Sequence, residues 1–379
     1  MEVLFWLSVA IILYTYFGYP LLILFASLLV KRKVQKEKIE PRVTFLITAY
    51  NEEKSIKEKI EDTLGLDYPK EKLEIIVASD ASNDRTDDIV KEFEGQGVRL
   101  FRVEGRLGKT EAQNQAVKIA EGDIIIFSDA TTKYEKSAIR KIVRNYADST
   151  VGAVSGRYKY FDTGKTQIGT GTIAFWDYEN FIKARQTKIQ TITGCCGCIY
   201  SVRKSLYVNL PRDIISDLVE PLKVLEHGYR IVFEPEALAY ETTCQKSDEE
   251  FKMRLRVISR GMRGLLYMKH LLNPFKYGFI SFQLISHKIL RWLIPLFLTG
   301  LYLTNIFLMH KNIFYLDFFL LQSIFYLLAL IGLFIDYFPK KIKIFSLPLY
   351  FCVVNIASIV ALAKILIKKK DIKWETVRQ

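Results

Sequence analysis

The chain has 379 residues, half of them apolar, with a formal charge of +13 at pH 7 and five cysteines. That length allows about two or three domains, and an odd cysteine count without a framework pattern argues against a disulfide-stapled domain and fits a reducing compartment. The charge does not point to nucleic acid, because much of it flanks apolar segments: Lys31-Arg32-Lys33, Lys288 and Arg291, Lys340-Lys341, Lys343 and Lys368-Lys369-Lys370, the placement expected beside anionic lipid headgroups.

Residues 3–30 form an apolar run long enough to cross a bilayer and are followed at once by Lys31-Arg32-Lys33. This is a stop-transfer pattern that predicts an uncleaved transmembrane helix and places the following domain in the cytoplasm. After a charged linker, residues 42–49, 73–79, 98–103 and 123–127 read as buried strands, short runs rich in β-branched and aromatic residues, each separated from the next by helix-forming sequence. Strands alternating with helices predict a parallel, right-handed βαβ sheet.

Three of these strands end in polar signatures: Thr48 to Glu52, Asp80 to Asp84, and Asp129. Ligands of open α/β sheets bind just beyond the carboxyl ends of the strands, so these ends are expected to meet at one rim. No Gly-x-Gly-x-x-Gly follows the first strand, and Gly105 to Thr110 lacks the spacing of a Walker loop, so neither a dinucleotide-binding domain nor a P-loop is expected.

Further on, 151–157 and 231–235 read as strands, 163–172 as a polar, Gly-rich loop, 174–184 as an aromatic helix and 218–227 as a helix opened by Ser216-Asp217. The Gly194-Cys195-Cys196-Gly197-Cys198 segment reads as a tight turn of small residues; a lone Cys-x-x-Cys is weak evidence for zinc. Residues 252–269 form a basic amphipathic helix expected to lie on the membrane face. Residues 289–309, 313–335 and 344–367 are three further spans by hydropathy, with His287 and Trp292 read as interface anchors. With the domain inside, three spans leave the basic tail 368–379 outside, so either the tail is an exception to the charge rule or one apolar segment is re-entrant or interfacial.

Taken in order, Thr48-Ala49-Tyr50-Asn51-Glu52-Glu53, Ser79 to Thr86, Gly108-Lys109 with Asn114, Ser128-Asp129-Ala130-Thr131, Thr193 to Gly197, Ser216-Asp217 and Ser286 to Trp292 resemble membrane-integrated glycosyltransferase family 2, the cellulose- and hyaluronan-synthase-like enzymes. The resemblance runs from about residue 41 to 292. It implies an α/β fold of GT-A type, Rossmann-like with a mostly parallel sheet, over residues 41–252. A transmembrane helix (1–33) precedes it, and amphipathic interface helices (253–288) and a transmembrane region of about three helices (289–379) follow. It further implies an inverting transferase that moves a sugar from a nucleotide sugar, expected to be a UDP-sugar, to a polysaccharide or lipid-linked acceptor, in a multi-pass protein of the cytoplasmic membrane.

Carried over residue by residue, the resemblance implies that Thr48, Ala49, Tyr50, Glu52 and Asp80 hold the nucleoside and that Lys109 borders the nucleotide. Asp129 would face the sugar diphosphate and its Mg or Mn ion, with Thr131 as a weaker ligand. Asp217 would be the general base, and Gly194 and Cys195 would lie on the acceptor side. Arg254, Arg256 and Arg260 are expected to reach the pyrophosphate, since a guanidinium matches phosphate oxygens with a planar fork. A turn role for Asp80 and a helix-cap role for Asp217 are the plain alternatives.

The chain departs from the family pattern at three points. Thr131 stands where the second acid of Asp-x-Asp belongs, Ser216 replaces the first of the paired acids, and Gln-x-x-Arg-Trp survives only as Met253 to Val257, retaining Arg256. Two alternatives follow: a single-transfer enzyme acting on a lipid, favoured by the missing Gln and Trp, and a catalytically silent partner of a synthase complex, favoured by Thr131 and Ser216. The partners expected are the nucleotide sugar, the acceptor and membrane lipids. Because four spans make a narrow bundle, export of a long polymer would call for a homo-oligomer or accessory subunit.

Overall fold

The structure is a computed structural model that describes residues 1–164, 166–336 and 342–367. Four strands, β1 (Val43–Ala49), β2 (Leu73–Ser79), β3 (Val98–Arg102) and β4 (Ile124–Asp129), pair in parallel in the order β3-β2-β1-β4. Every residue of β1 is buried, as expected for a parallel strand covered on both faces. The helices Ile56–Leu64, Thr86–Lys91 and Lys109–Ile119 fill the crossovers. Register brings the strand ends level: Thr48 lies beside Asp129 and Ala49 beside Ser79. Two apolar clusters, one with Phe45, Ile47 and Ile126 and the other with Leu46, Ile125 and Phe127, sandwich the sheet.

Beyond β4 the sheet becomes mixed. β5 (Lys133–Tyr134), β6 (Val151–Phe161), β7 (Tyr200–Arg203) and β8 (Arg230–Thr242) complete the order β3-β2-β1-β4-β7-β6-β8-β5. Strand β7 slots between β4 and β6 antiparallel to both, while β6 and β8 are parallel. A buried apolar run carries no signal of its direction, so this half of the sheet is not readable from periodicity. Strand β8 is longer than 231–235 because a register shift after Gly156 lets Leu238–Thr242 pair again with Arg157–Phe161.

The expected loop at 163–172 is instead the first part of a long helix, Gln167–Ile189, whose N-cap Thr166 accepts the Gly169 N–H at 3.0 Å. Its glycines serve packing: a Cβ on Gly171 would lie 2.3 Å from Tyr350 Cβ, so only glycine lets this helix meet the helix Lys343–Leu366. Ser346 Oγ donates to Gln167 Oε1 at 2.6 Å across the same contact. The helix Ser247–Tyr267 also packs there, through Ile258 and Met262 on Ala357 and Ala361.

Among the described residues, four helices are long and apolar enough to cross a membrane: Glu2–Leu29, Phe279–Leu308, Ile313–Ile335 and Lys343–Leu366. The second begins about ten residues earlier than hydropathy placed it, because Phe279 to Ser286 is the buried start of the same helix. Asp336, ending the third helix, accepts the Ser247 N–H at 2.8 Å on the domain side, while Lys311 pairs with Glu2 at the far end. Residues 337–341 and the tail 368–379, on which the expected topology turned, lie outside the described residues.

Candidate active site

The loops after β1 and β2 are laced together at the rim of the sheet. The Asn51 N–H donates to Ser82 Oγ at 3.1 Å, Asn83 N–H to Asn51 Oδ1 at 3.0 Å, and Glu52 N–H to Thr86 Oγ1 at 2.8 Å. Asn51 (φ 54°) and Ala81 (φ 57°) hold left-handed backbone. For alanine this costs on the order of 1–2 kcal/mol and persists where surrounding bonds over-determine it. The Arg106 guanidinium stacks on the Tyr50 ring, 3.8 Å from its centroid. Burial pushes the Glu52 carboxyl up to about 7 against the hydrogen bond from Ser55, with the charges of Asp129 and Glu241 adding to the rise.

Asp80 is fully buried and accepts the backbone N–H groups of Leu107 (2.8 Å) and Gly108 (2.9 Å). It therefore ties the end of β2 to the loop that opens the Lys109–Ile119 helix. Burial raises its carboxyl, and those N–H donors pull against the rise. The tether sets Lys109 as the first residue of that helix, where its ammonium forms an ion pair with Asp129. Burial opposes the lysine charge, but Asp129 more than offsets this and lifts the Lys109 pKa above the usual value.

Thr131 does not stand alone in place of the missing acid. Its hydroxyl donates to Glu241 Oε1 at 2.9 Å, so β8 delivers a carboxylate beside the position that the Asp-x-Asp pattern leaves without one. Sequence reading missed Glu241; the only signal was Thr131 itself, which calls for a carboxylate from elsewhere. Among the described residues no cluster of three or more His, Cys, Asp or Glu side chains is arranged to hold a metal. Asp129, Thr131 and Glu241 are nonetheless hard oxygen donors, and Mg²⁺ is commonly held by one or two carboxylates completed by substrate phosphates.

Opposite lies the glycine–cysteine turn. The Cys195 N–H donates to the Asp217 carbonyl at 3.0 Å, and a Cβ on Gly197 would lie 2.5 Å from Asp217 Oδ2. Gly197 is thus what lets the turn close over this carboxylate. Asp217 Oδ1 is buried with no hydrogen-bond partner among the described residues. Burial pushes the carboxyl above the usual aspartate range; Lys109 pulls against that, and the Asp129 charge adds to the rise. Asp217 is the second residue of the helix Ser216–Glu226, whose cap makes no side-chain bond, so the plain capping role is absent.

These groups line one cavity of about 910 Å³. It brings together Lys109, Asp129, Thr131, Glu241, Gly194, Cys195, Asp217, Arg256 and Arg260. Thr48, Ala49, Tyr50, Glu52 and Asp80 lie at the adjoining rim and not on its wall. Arg260 donates to the Arg212 carbonyl at 3.2 Å. Arg254 lines the same cavity, where its Nε donates to Glu250 at 2.7 Å and its guanidinium stacks on Phe175. His287 and Trp292 are not headgroup anchors. His287 is buried between Glu179 (3.1 Å) and Gln186 (3.3 Å), and Trp292 packs over Gly261 in the cavity wall.

Residues 44–210 match the sequence profile of Glycosyl transferase family 2. This stretch of the chain is similar to family 2 glycosyltransferase domains. Among curated proteins it is 32% identical over 252 residues to a probable glycosyltransferase, YdaM, of Bacillus subtilis, covering 62% of this chain and 58% of that protein. It is 30% identical over 234 residues to poly-beta-1,6-N-acetyl-D-glucosamine synthase of Staphylococcus aureus, covering 59% of this chain and 55% of the synthase. The chain thus spans somewhat over half the length of these relatives. Among solved structures, mannosyltransferase PcManGT from Pyrobaculum calidifontis, in complex with GDP-Man and Mn2+, superposes with a TM-score of 0.72 at 22% identity, over 97% of this chain and all of the other. That likeness covers residues 44–210 and the four apolar helices alike, and shows a shared GT-A-type fold.

Proposed function

We propose that the protein is an inverting glycosyltransferase that takes a sugar from a nucleoside diphosphate, expected to be UDP, and places it on a lipid-linked acceptor by single transfer at the cytoplasmic face of the membrane. The observation that carries the reading is Asp217, a desolvated carboxylate with an unpartnered oxygen, in the same cavity as Lys109, Asp129, Arg256 and Arg260. The cationic groups suit the charge that develops on a departing diphosphate. Where present, a divalent cation held by Asp129, Thr131 and Glu241 together with the diphosphate would supply further neutralisation of that charge.

The nucleoside would lie at the laced rim of β1 and β2, against Tyr50 and Glu52, with the Asp80-tethered loop shaping its pocket. The acceptor hydroxyl attacks the anomeric carbon, its proton passes to Asp217, and the bond from that carbon to the diphosphate oxygen breaks. One displacement inverts the anomeric centre. Lys31-Arg32-Lys33 after the first span supports the cytoplasmic placement. The missing Gln and Trp, and the apolar lower half of the cavity, favour single transfer to a lipid over chain extension.

The test is release of nucleoside diphosphate by detergent-solubilised protein, supplied with native lipid extract, from a panel of UDP- and GDP-sugars with and without Mg²⁺ or Mn²⁺. Release from one donor is expected. In Asp217→Asn, turnover should fall by about 10²- to 10⁴-fold with nucleotide binding intact. Full turnover in that variant would remove Asp217 from the base role. Donor binding absent from the whole panel would favour the silent-partner reading.

A further inference from the structure

The cavity does not stop at the catalytic groups. Below Asp217 it continues between the helices Glu2–Leu29, Phe279–Leu308, Ile313–Ile335 and Lys343–Leu366, where its wall turns to Phe17, Leu301, Phe318, Phe325, Phe351 and Val354. At the level where the two halves meet stand two ammonium groups that the transferase reading does not use. Lys183, on the Gln167–Ile189 helix, is only 6% exposed. Lys288 belongs to a π-helical segment, Ile285–Ile289, inside the second span.

Neither lysine has an ion pair or a side-chain hydrogen bond among the described residues; Lys183 has only the Trp176 ring, 5.6 Å away. The acid nearby, Glu179, is already taken by Arg291 and by His287 at 3.1 Å. Asp217 feels both ammonium charges yet pairs with neither. Lys183 is buried and Lys288 half-buried; taking an ammonium out of water without a counter-ion costs free energy, so the two on one wall describe a place for an anion that the described residues do not supply. The π-bulge is what turns Lys288 and His287 together onto this wall; such bulges recur at functional sites. A second bulge, Tyr14–Gly18, meets it through a 2.8 Å hydrogen bond between Tyr14 Oη and Ser286 Oγ.

We propose that Lys183 and Lys288 form an acceptor-side subsite for a phosphate carried on a long hydrocarbon chain, with the chain lying in the apolar half of the cavity between the spans. This rests on the transferase reading and names its acceptor class: a lipid phosphate or diphosphate bearing the sugar hydroxyl that faces Asp217. The phosphate fixes depth, so that the hydroxyl meets the base at one height above the membrane.

Binding to the full chain in lipid nanodiscs tests this, using a long-chain isoprenyl monophosphate, the matching isoprenyl alcohol and dioleoyl phosphatidic acid, read by native mass spectrometry. The isoprenyl phosphate should bind at least about tenfold tighter than the alcohol. Lys183→Met and Lys288→Met should each erase most of that margin, since a charge-assisted bond to phosphate is worth about tenfold to a hundredfold. Lys183→Arg should keep it, which separates loss of charge from loss of fold. Equal binding of phosphate and alcohol, or unchanged binding in both Met variants, would overturn the subsite. Phosphatidic acid binding as tightly as the isoprenyl phosphate would uphold it and assign its ligand to bilayer phospholipid. UDP titration of the same samples reads the nucleotide site separately, so failure of the transferase reading and failure of this subsite give different results.

Discussion

Glu52 illustrates how a single carboxyl can be placed against its own chemistry. It is 7% exposed, beside the acids Asp129 and Glu241, and its carboxyl is pushed up to about 7. In the unfolded chain it would titrate near ~4.3. Between those values the folded state binds the extra proton, so stability is present below about pH 4.5 and is lost as pH rises toward 7. Glu52→Gln should flatten that part of the stability profile, seen as a melting temperature in detergent that no longer declines across the window; an unchanged slope would mean Glu52 does not carry it. The acids of the strand ends were legible in the sequence because strand ends in open sheets are where ligands sit. Glu241 was not, because its partner Thr131 lies 110 positions earlier and only the register shift of β8 brings them together.

At the scale of elements, the Asp80 tether holds the loop before Lys109. Asp80→Ala would leave the Leu107 and Gly108 N–H groups without their acceptor, a loss of about 1–3 kcal/mol. Nucleotide affinity should fall roughly 10- to 100-fold, measured by UDP titration, and the loop should become cleavable by protease near Arg106. A variant with wild-type affinity would show that the tether does not shape the pocket. Strands β1, β2 and β4 could be read from their β-branched runs, since burial on both faces leaves no other pattern, whereas β3, expected to be buried, lies at the sheet edge and is mostly only half-buried or exposed. The start of the Gln167–Ile189 helix could not. Its glycines look like a loop until Tyr350, some 180 residues later, fills the space that their missing side chains leave.

For the whole molecule, one cavity joins Lys109, Asp129 and Asp217 to the interior of the helix bundle. No local pattern encodes it, because its walls come from all four apolar helices and from the helices Gln167–Ile189 and Ser247–Tyr267. Leu298 lines both this cavity and a smaller one of about 360 Å³ between three of the spans. Leu298→Trp should fill the shared wall, cutting transfer to a lipid acceptor at least about tenfold while UDP binding stays unchanged. An overpacking cost of about 1–3 kcal/mol would be visible as a lowered melting temperature. Undiminished transfer would mean that the acceptor does not enter between the helices.

The contact between Tyr14 and Ser286 joins residues 272 positions apart. At ~5–20 residues per second of synthesis, the first helix waits on the order of 15–50 seconds before its partner exists. Tyr19 meets the Gln186 amide at 2.7 Å about 100 residues before its ring partner His287 is made, whereas the Tyr14 hydroxyl waits for Ser286. Biogenesis of this protein therefore includes a stage in which the first helix has the helix Gln167–Ile189 but none of the other three apolar helices to pack on, and a slower ribosome lengthens it.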